Sequence, residues 1–524
     1  MNEEQKVQQY DDVDVITALK DFPYFVLSRE IKTGYSLYQD ELINIKKNYV
    51  AYEKGAKFVT EGTAGDYIAS HVSYKKASML INKEARYMFS QTPDITVTSI
   101  NNDEEHKEQL QIYQTLIDKV LSKSKFSKIL LQSAKDCFIG KRVACLVDFS
   151  ETKGALIHFY NSLQFYYETE YGSDDLTKFV TFENVTESKS TTERMFLVNK
   201  YELINGVVYM QSDLFNGSGK PVQSLVARIK TELSQIPAVV IFNDGTLQQK
   251  RGVSDIQELL ECESAYSFLS NADVDALRKG MNPIRYAVDM NSDTTEGLSS
   301  GAGAFWDLKT DQNMNMVHPM VGTLAPALNH TETLKATLNR LNETMHNQVD
   351  VPNISEETLV GTITSGKALK ALYYPLTVRC NEKMTTWIPD LEKIAEIIIE
   401  FMLLNKSLVK EIYGVPDLQT VQFTINVKPN YALLEDEDEE IRIDLEKIAM
   451  NAMSRKTFMK KWGRDAYKTD EQIDEELMQI AVELNMFDTM SMNTQVQDKM
   501  NDLETDKGIE KDLEGLEIEQ KLGE

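Results

Sequence analysis

Two long stretches of helical periodicity, separated by a short segment of different composition, constrain the fold of this chain most. Apolar residues recur along one helical face over residues 256–272 and again over residues 334–349. The second stretch stops before Pro352, because the residue that precedes a proline disfavours helical backbone angles. Between them, residues 281–322 combine strand-like runs such as "PIRYAVDM" with the Gly/Ser-rich run "GLSSGAGAFWDL". The sequence therefore predicts two long helices that flank a small β insertion.

The part of the chain before these helices divides into a helical region and a β region. Four helical stripes cover residues 35–138, with the strand-like run "DITVT" among them. Residues 142–243 contain aromatic and β-branched runs such as "RVACLVDF" and "MFLVNKYELINGVVYMQ", which favour strands. Asn205-Gly206 lies between apolar flanks and predicts a tight hairpin turn, since both positions need positive φ. We expect a mostly antiparallel sheet packed on the earlier helices, and a helix-rich α+β fold.

After the polar stretch "DVPNISEETLVGTIT", the sequence predicts a helical run over residues 366–404. Pro375 and Pro389 must kink or interrupt this run, because a proline lacks an amide donor and crowds the preceding turn. The run "VQFTINV" predicts one more strand, and helices follow the acidic stretch "LEDEDEE", one of them opened by Ser454. Residues 499–524 are strongly charged, which predicts a disordered tail.

The stretch "GTITSGKALKAL" has the spacing of a nucleotide-binding P-loop, with Gly361, Gly366 and Lys367 at the corresponding positions. A P-loop needs a hydroxyl directly after its lysine to hold Mg²⁺, and here that position is Ala368. The preceding run "NISEETLV" is too polar for a central parallel strand. We therefore favour a helix that begins at residue 366 or 367 and is capped by Ser365, and we keep an NTPase as an alternative.

The composition is that of an acidic globular protein. The chain has 524 residues and a formal net charge of -26, and it contains no basic cluster. Because affinity for nucleic acid phosphates comes mostly from Lys and Arg, such a chain should repel them. The four cysteines and six histidines show no CxxC, HxxxH or mixed metal-binding spacing, so we expect a reducing compartment and no metal or other cofactor.

Targeting and membrane signals are also missing from the sequence. The first residues, "MNEEQKVQQYDDVD", are too acidic and polar for a signal peptide. The most apolar helical stretch, "IAEIIIEFMLL", carries Glu396 and Glu400 and is too short to span a bilayer. We therefore expect no membrane association.

The order of these segments resembles that of the portal proteins of tailed bacteriophages, in the branch typified by the portal of the Bacillus phage SPP-one. Several stretches resemble that family in sequence as well as in order: "NYVAYEKGAKF", "ASMLINKEARYMFSQTPDITV", "SKILLQSAKDCFIGKRVACLVDF", "IPAVVIFND" with "RGVSDIQELLECESAYSFLSNADVD", "SGKALKALYYPL", and "NAMSRKTFMKKWG". Each stretch alone is weakly specific. Their shared order, from about residue 35 to 485, carries the resemblance.

The resemblance implies a ring, usually of twelve subunits, at one vertex of a virion capsid. Such rings nucleate assembly with the scaffolding and major capsid proteins in the host cytoplasm, dock the large terminase subunit, and later hold a head-completion adaptor. Double-stranded DNA passes through them without sequence specificity during packaging and ejection. The resemblance implies no catalytic residue and no enzyme activity.

The resemblance also implies a division of the chain into a wing, a two-helix stem, a small β-containing clip and a helical crown. The segments are the wing (1–253), the first stem helix (254–280), the clip (281–322), the second stem helix (323–350), the tunnel loop (351–365), a kinked long helix with a returning wing strand (366–429), the crown (430–498) and the charged tail (499–524).

Two sets of side chains become site candidates on this basis. The candidates in the tunnel loop, which would face DNA, are Asn353, Ile354, Ser355, Glu356, Glu357 and Thr358. Phe305 and Trp306, in the Gly-rich part of the clip, are exposed aromatic candidates for partner contact. They fit a small core of the clip, or a contact with a neighbouring subunit, equally well. The alternatives to a portal are a divergent NTPase that uses Lys367, and another virion assembly protein that forms shells or filaments.

Overall fold

The computed structural model describes residues 35–58, 69–99, 106–150, 152–186, 194–217, 219–243, 245–249, 251–281, 284–288, 320–324, 331–354, 366–416, 418–431, 437–462, 473–480 and 482. The chain divides into two compact units. Unit 1 comprises Met1–Thr364 and Ala368–Leu433, and unit 2 comprises Ser365–Lys367 and Leu434–Glu524.

In the described part of residues 35–140, unit 1 has four helices, as the sequence predicts: α1 (Tyr35–Lys54), α2 (Lys76–Phe89), α3 (Lys107–Lys123) and α4 (Phe126–Gly140). Two of them begin after a lysine in the left-handed region, Lys75 before α2 and Lys125 before α4. Their apolar stripes are buried, and those of α2, α3 and α4 belong to the largest core cluster of the described residues.

The β region forms two antiparallel sheets. Their strands are β2 (Arg142–Ser150), β3 (Gly154–Asn161), β4 (Phe165–Thr169), β5 (Leu176–Asn184), β6 (Met195–Ile204), β7 (Val207–Asn216), β8 (Pro221–Lys230) and β9 (Ala238–Phe242). One sheet has the order β3-β2-β9, and the other is a five-stranded meander, β4-β5-β6-β7-β8. The predicted turn is confirmed: Asn205 and Gly206 have φ of 52° and 75°, and Ile204 pairs with Val207 across them.

The two long helices and the β insertion are also present. Helix α5 is Asp255–Met281 and helix α6 is Thr331–Gln348, and they pack on each other. Between them, β10 (Ile284–Val288) pairs antiparallel with β11 (Met320–Leu324). The expected start of the second helical segment at residue 323 is therefore wrong, since residues 323 and 324 complete the ladder opposite β10.

Helix α7 (Gly366–Leu404) is continuous, so its two prolines do not interrupt it. Pro375 and Pro389 both lie on the exposed side of the helix, where the carbonyl that loses its donor meets water. The opposite side carries the fully buried Trp387, whose ring lies 4.9 Å from that of Phe89. Burying a large apolar side chain contributes about 1.5–3 kcal/mol. Similar packing along the buried face of α7 stabilises the helix enough to offset the hydrogen bonds lost at the two prolines.

The chain then returns to the N-terminal region. Helix α8 (Lys406–Tyr413) is followed by β12 (Thr424–Lys428), which pairs antiparallel with β1 (Asp94–Thr98). The predicted strand after the long helix is therefore confirmed. None of the described helices has both the length and the apolarity that a membrane span requires.

Unit 2 is helical in its described residues. It contains α9 (Glu437–Ala449), α10 (Arg455–Trp462) and helical residues 473–480. The predicted role of Ser454 is confirmed, because its Oγ accepts a hydrogen bond from Thr457 N at 3.1 Å and so caps α10. Asp444 of α9 accepts hydrogen bonds from Lys461 Nζ at 2.8 Å and Trp462 Nε1 at 3.0 Å, which joins α9 to α10.

Candidate functional site

The described residues include only part of the predicted site. Asn353 is exposed and Ile354 is half-buried, shortly after the end of α6. The backbone of Lys367 belongs to the first turn of α7. The other candidates lie outside the described residues, and their roles stay predictions: Ser355, Glu356, Glu357, Thr358, Phe305 and Trp306.

His346 fixes the path of the chain as it leaves α6. Its Nδ1 lies 2.8 Å from the carbonyl oxygen of Val351, and Val351 N donates to the carbonyl oxygen of His346 at 3.0 Å. Asp350, between them, has a φ of 52°. Burial lowers the pKa of His346 and outweighs the opposing effect of the Val351 hydrogen bond. The imidazole is therefore neutral at pH 7, and Nδ1 is the donor because a carbonyl oxygen only accepts.

A buried cluster of four charged side chains joins α2, α5 and α7. Lys383 Nζ lies 2.7 Å from Glu84 Oε1 and 2.6 Å from Asp255 Oδ2. Arg379 pairs with the same two acids, through Nε to Glu84 Oε1 at 2.9 Å and through Nη2 to Asp255 Oδ1 at 2.8 Å. The side chains of Glu84 and Lys383 are 0% and 2% exposed. The ionic cluster, as we call these four residues, has no net charge.

The local sequence explains why these groups meet. Arg379 and Lys383 are four residues apart on α7 and so lie on one helical face. That face is otherwise apolar and buried, with Leu376 and Trp387 on either side of the pair. Asp255 is the first residue of α5, where the partial positive charge of the helix N-terminus favours a carboxylate.

Further contacts attach the ionic cluster to its surroundings. Asn243 Nδ2 donates to Asp255 Oδ2 at 2.9 Å, and Lys383 Nζ lies 3.7 Å from the centre of the Phe138 ring. Arg379 Nη1 donates to the carbonyl oxygen of Gln348, the last residue of α6, at 3.4 Å. The cluster therefore connects the first residue of α5, the last residue of α6 and the middle of α7.

Both bases stay charged in this environment. Burial alone would lower the pKa of Lys383, but the charges of Asp255 and Glu84 outweigh it and hold the pKa above its usual value. Burial is likewise the largest single influence on Arg379, and Glu84 and Asp255 together reverse it, so its pKa is also raised. Removing one partner would leave a buried charge uncompensated, which costs about 3–5 kcal/mol.

The chemistry of the cluster indicates a structural joint. Its acids and bases are paired with one another and largely covered, although Glu84 Oε2 is buried without a hydrogen-bond partner. No proton donor or nucleophile of the cluster therefore faces a substrate. Within the described ranges, no group of three or more His, Cys, Asp or Glu side chains is placed to bind a metal ion. The cluster sets the relative positions of three helices, and the segment between α6 and α7 begins and ends on helices that it holds.

Sequence reasoning did not identify the ionic cluster. Glu84 and Arg379 are 295 positions apart, and Asp255 and Lys383 are 128 apart. The signal available in the sequence was the pair of bases on the apolar face of a predicted helix. Two such charges require buried acids opposite them, but the sequence does not say which acids.

Comparison with known protein families decides the identity of the fold. The family model described as phage portal protein, SPP1 Gp6-like, matches residues 28–486. The chain belongs to this family. The family is structural and non-enzymatic, which confirms the prediction that this portal-family chain is not an enzyme and argues against the NTPase alternative. The mixed helix-and-sheet fold agrees with the predicted portal fold.

Solved structures with similarity to the chain come from gene transfer agent (GTA) particles. The neck of an empty GTA particle computed with C6 symmetry has a TM-score of 0.38 and 11% identity, and the alignment covers 74% of this chain and 90% of that one. The virion of a native GTA particle has a TM-score of 0.33 and 10% identity, and the alignment covers 74% of this chain and 89% of that one. The neck of a native GTA particle computed with C12 symmetry has a TM-score of 0.33 and 10% identity, and the alignment covers 73% of this chain and 88% of that one. No curated protein sequence matches the chain.

Proposed function

We propose that this chain is the subunit of a closed portal ring at one vertex of a virion capsid, through which double-stranded DNA passes during packaging and ejection. The observation that carries the proposal is the family match, which extends over residues 28–486 and includes the helices, sheets and ionic cluster of unit 1. We propose twelve copies per ring, the usual number among the phage portals that the chain resembles.

The exposed side chains of α5 support assembly into a ring. Helix α5 has 27 residues and is therefore about 40 Å long. Apolar side chains remain exposed along it, including Phe268, Leu277 and Met281. An isolated helix pair that leaves such side chains in water is poorly stabilised. Neighbouring copies packed side by side would cover them, and α5 and α6 would then line up as the stem.

The charge of the chain supports a conduit for DNA. Each Lys or Arg contact with phosphate adds affinity through counterion release, and strong binding would retard a moving duplex. The chain carries a net charge of -26, and residues 353–364, "NISEETLVGTIT", contain no Lys or Arg. We propose that residues 351–365, which include this segment, form the tunnel loop and face the duplex without binding it tightly.

The remaining assignments follow from the same proposal. Residues 1–253 would form the wing. Residues 254–280, together with the helix that ends at Gln348, would form the stem, and residues 281–322 with the end of β11 would form the clip. Residues 430–498 would form the crown, and residues 366–429 would link the tunnel loop to the wing. The clip, including Phe305 and Trp306, would contact terminase and then the head-completion adaptor. Scaffolding and major capsid protein would contact the ring during assembly in the host cytoplasm.

Electron microscopy and native mass spectrometry of the purified chain test the proposal. The expected result is a ring with an axial opening and a mass about twelve times 59.7 kDa. Shells or filaments would support another virion assembly protein instead. A chain that stays monomeric at high concentration and inside virions would refute the ring.

A measurement of ATP hydrolysis tests the enzyme alternative separately. The expected result is no turnover, in the wild-type chain or in Lys367→Ala. Turnover that Lys367→Ala abolishes would contradict a purely structural role.

A further inference from the structure

Among the strands that the structure describes, β8 is the last of the five-stranded sheet and pairs with β7 along one edge only. Nine of its ten residues are exposed, and Val226 alone is half-buried. By contrast, β5, an interior strand of the same sheet, has five of its nine residues buried. Neither face of β8 is therefore covered by the described part of the chain.

The side chains of β8 do not suit a strand that stays in water. Val222, Leu225 and Ile229 are 52%, 51% and 47% exposed. Exposed apolar side chains on an edge strand invite association with another chain, and soluble proteins normally avoid them. The strand also carries Lys230 and Arg228, the latter already paired with Glu202 of β6 at 3.2 Å, and it contains no acid in a chain whose net charge is -26. These features fit a partner surface that is acidic and has an apolar or aromatic side chain at its centre.

The opposite edge of the same sheet has a surface of that chemistry. The turn between β4 and β5, "EYGSDD", contains three acids and a fully exposed tyrosine, Tyr171. The turn has a fixed shape, because Glu170 N donates to Asp175 O at 2.9 Å and Lys393 Nζ donates to Asp175 Oδ1 at 2.9 Å. Glu170, Tyr171 and Asp174 are exposed.

The strand register places the two surfaces at the same end of the sheet. One row of paired residues crosses all five strands: Glu168, Lys178, Glu202, Tyr209 and Lys230. Glu168 lies two residues before Glu170, the first residue of the turn, and Lys230 ends β8, so both surfaces lie at the same end of the sheet. Four strand spacings, about 19 Å, separate them, and they face in opposite directions.

Two different surfaces on opposite sides of one subunit suit a head-to-tail contact. Such a contact repeats from copy to copy and closes into a ring when the rotation permits. A twofold contact would instead bring two β8 strands together, and their like charges would repel. We propose that β8 of one copy binds the acidic β4–β5 turn of a second copy of this chain, with Tyr171 against Leu225 and Ile229. The inference rests on the proposed ring and names one of its contacts.

Cross-linking between introduced cysteines tests the contact. The variant carries Thr169→Cys and Ala227→Cys in a Cys262→Ser background, and it is treated with a short bismaleimide. Within one chain the two positions lie on opposite edges of the sheet, so a short linker joins them only between copies. The expected result is a ladder of covalent oligomers up to the size of the ring, with neither single-cysteine variant giving more than a dimer.

Charge exchange tests the same contact without cross-linking. Lys230→Glu and Glu170→Lys alone should each lose the ring species at concentrations where the wild type retains it, and the double variant should recover it. Ile229→Asp should also lose the ring, whereas the control Leu247→Asp, at an exposed apolar loop position, should not. Circular dichroism checks that every variant is folded.

The outcomes separate this inference from the proposed function. A wild-type ring with no cross-linked ladder, and with Lys230→Glu and Ile229→Asp rings intact, would overturn the inference and leave the ring standing. If the side chains of β8 are protected from a chemical modifying reagent in capsids but not in purified rings, the inference would also be overturned. The partner that covers β8 would then be a capsid or scaffolding protein. A wild-type chain that forms no ring would refute the proposed function, and this contact with it.

Discussion

Replacing Lys383 by methionine should destabilise unit 1 strongly. The side chain is 2% exposed and lies within 2.7 Å of both Glu84 and Asp255. Methionine fills most of the volume but removes the charge, so three charged groups with a net charge of -1 would remain buried. Leaving a buried charge uncompensated in this way costs about 3–5 kcal/mol. We expect the free energy of unfolding to fall by that amount.

Lys393→Met is the matched control on the same helix. Lys393 pairs with Asp175 at 2.9 Å, but the two side chains are 29% and 66% exposed. An exposed pair of this kind contributes at most about 1 kcal/mol, because water and salt screen it. Urea unfolding followed by the fluorescence of the buried Trp387 would measure both variants in the same oligomeric state. Equal losses for Lys383→Met and Lys393→Met would refute the argument from burial.

A double-mutant cycle tests whether the lost charge balance is the cause. Glu84→Gln leaves two bases facing one acid, whereas Glu84→Gln with Lys383→Met leaves only the Arg379–Asp255 pair, whose charges balance. The double variant should therefore lose less than the sum of the two single losses, by about 1–3 kcal/mol. Additive losses would show that packing matters here and charge balance does not.

The pH dependence of this effect has a definite sign. The pKa of Lys383 is raised in the folded chain, so its contribution to stability is complete below the usual lysine pKa. It is lost only as the pH rises through the raised value. The difference between the wild type and Lys383→Met should therefore be constant through the neutral range and shrink only in strong alkali.

Three further predictions concern single groups. Burial raises the pKa of Asp390 to about 7, so the folded chain loses stability as pH rises from the unfolded carboxyl pKa to that value. The loss is on the order of 4 kcal/mol, and Asp390→Asn should remove it in melts at several pH values. Asp444→Asn should increase the rate of amide hydrogen exchange in α9 and α10 and leave the exchange rates of unit 1 unchanged. Exchange rates in α9 and α10 equal to those of the wild type would contradict the role of Asp444 in joining these helices. Gly252→Ala should lower the free energy of unfolding by several kcal/mol, because the new Cβ would lie 2.3 Å from Lys141 O. Gly172→Ala is the control, since Gly172 also has a positive φ but lies in open space, and it should lower stability by only about 1 kcal/mol in the same melts.

Much of the fold was predictable because its signals are local. The stripe of helix α1, the Asn205-Gly206 turn and the Ser454 cap each depend on residues close together in the chain. Apart from the start of the second stem helix, the helix boundaries accordingly agree with the predictions to within a few residues. The division of the β region into two sheets was not predicted, because alternation shows that a strand has two faces but not which strand lies beside it.

Two details of the predicted fold, an interruption of α7 at its prolines and a helix start at residue 323, are not found, and in both places packing overrides a local rule. A proline inside a helix loses one hydrogen bond, and Pro375 and Pro389 face water, where that loss is small. Residues 323 and 324 were assigned to the start of the second stem helix, but they pair with Arg285 and Ile284 of β10 instead. In both places the deciding contact comes from a distant part of the chain.

The joint at the ionic cluster could not be predicted for the same reason, and its position explains why charges occur there. Apolar side chains of similar volume often stabilise a core as well as a buried ion pair does, but they allow several packings. Four charges with specific partners accept only one arrangement. In a ring, every copy must hold α5, α6 and α7 in the same relation, or the segments between α6 and α7 would not lie at one level around the axis. We infer that the cluster selects one geometry from several of similar stability. An apolar replacement of all four residues that kept both stability and uniform rings would contradict that role.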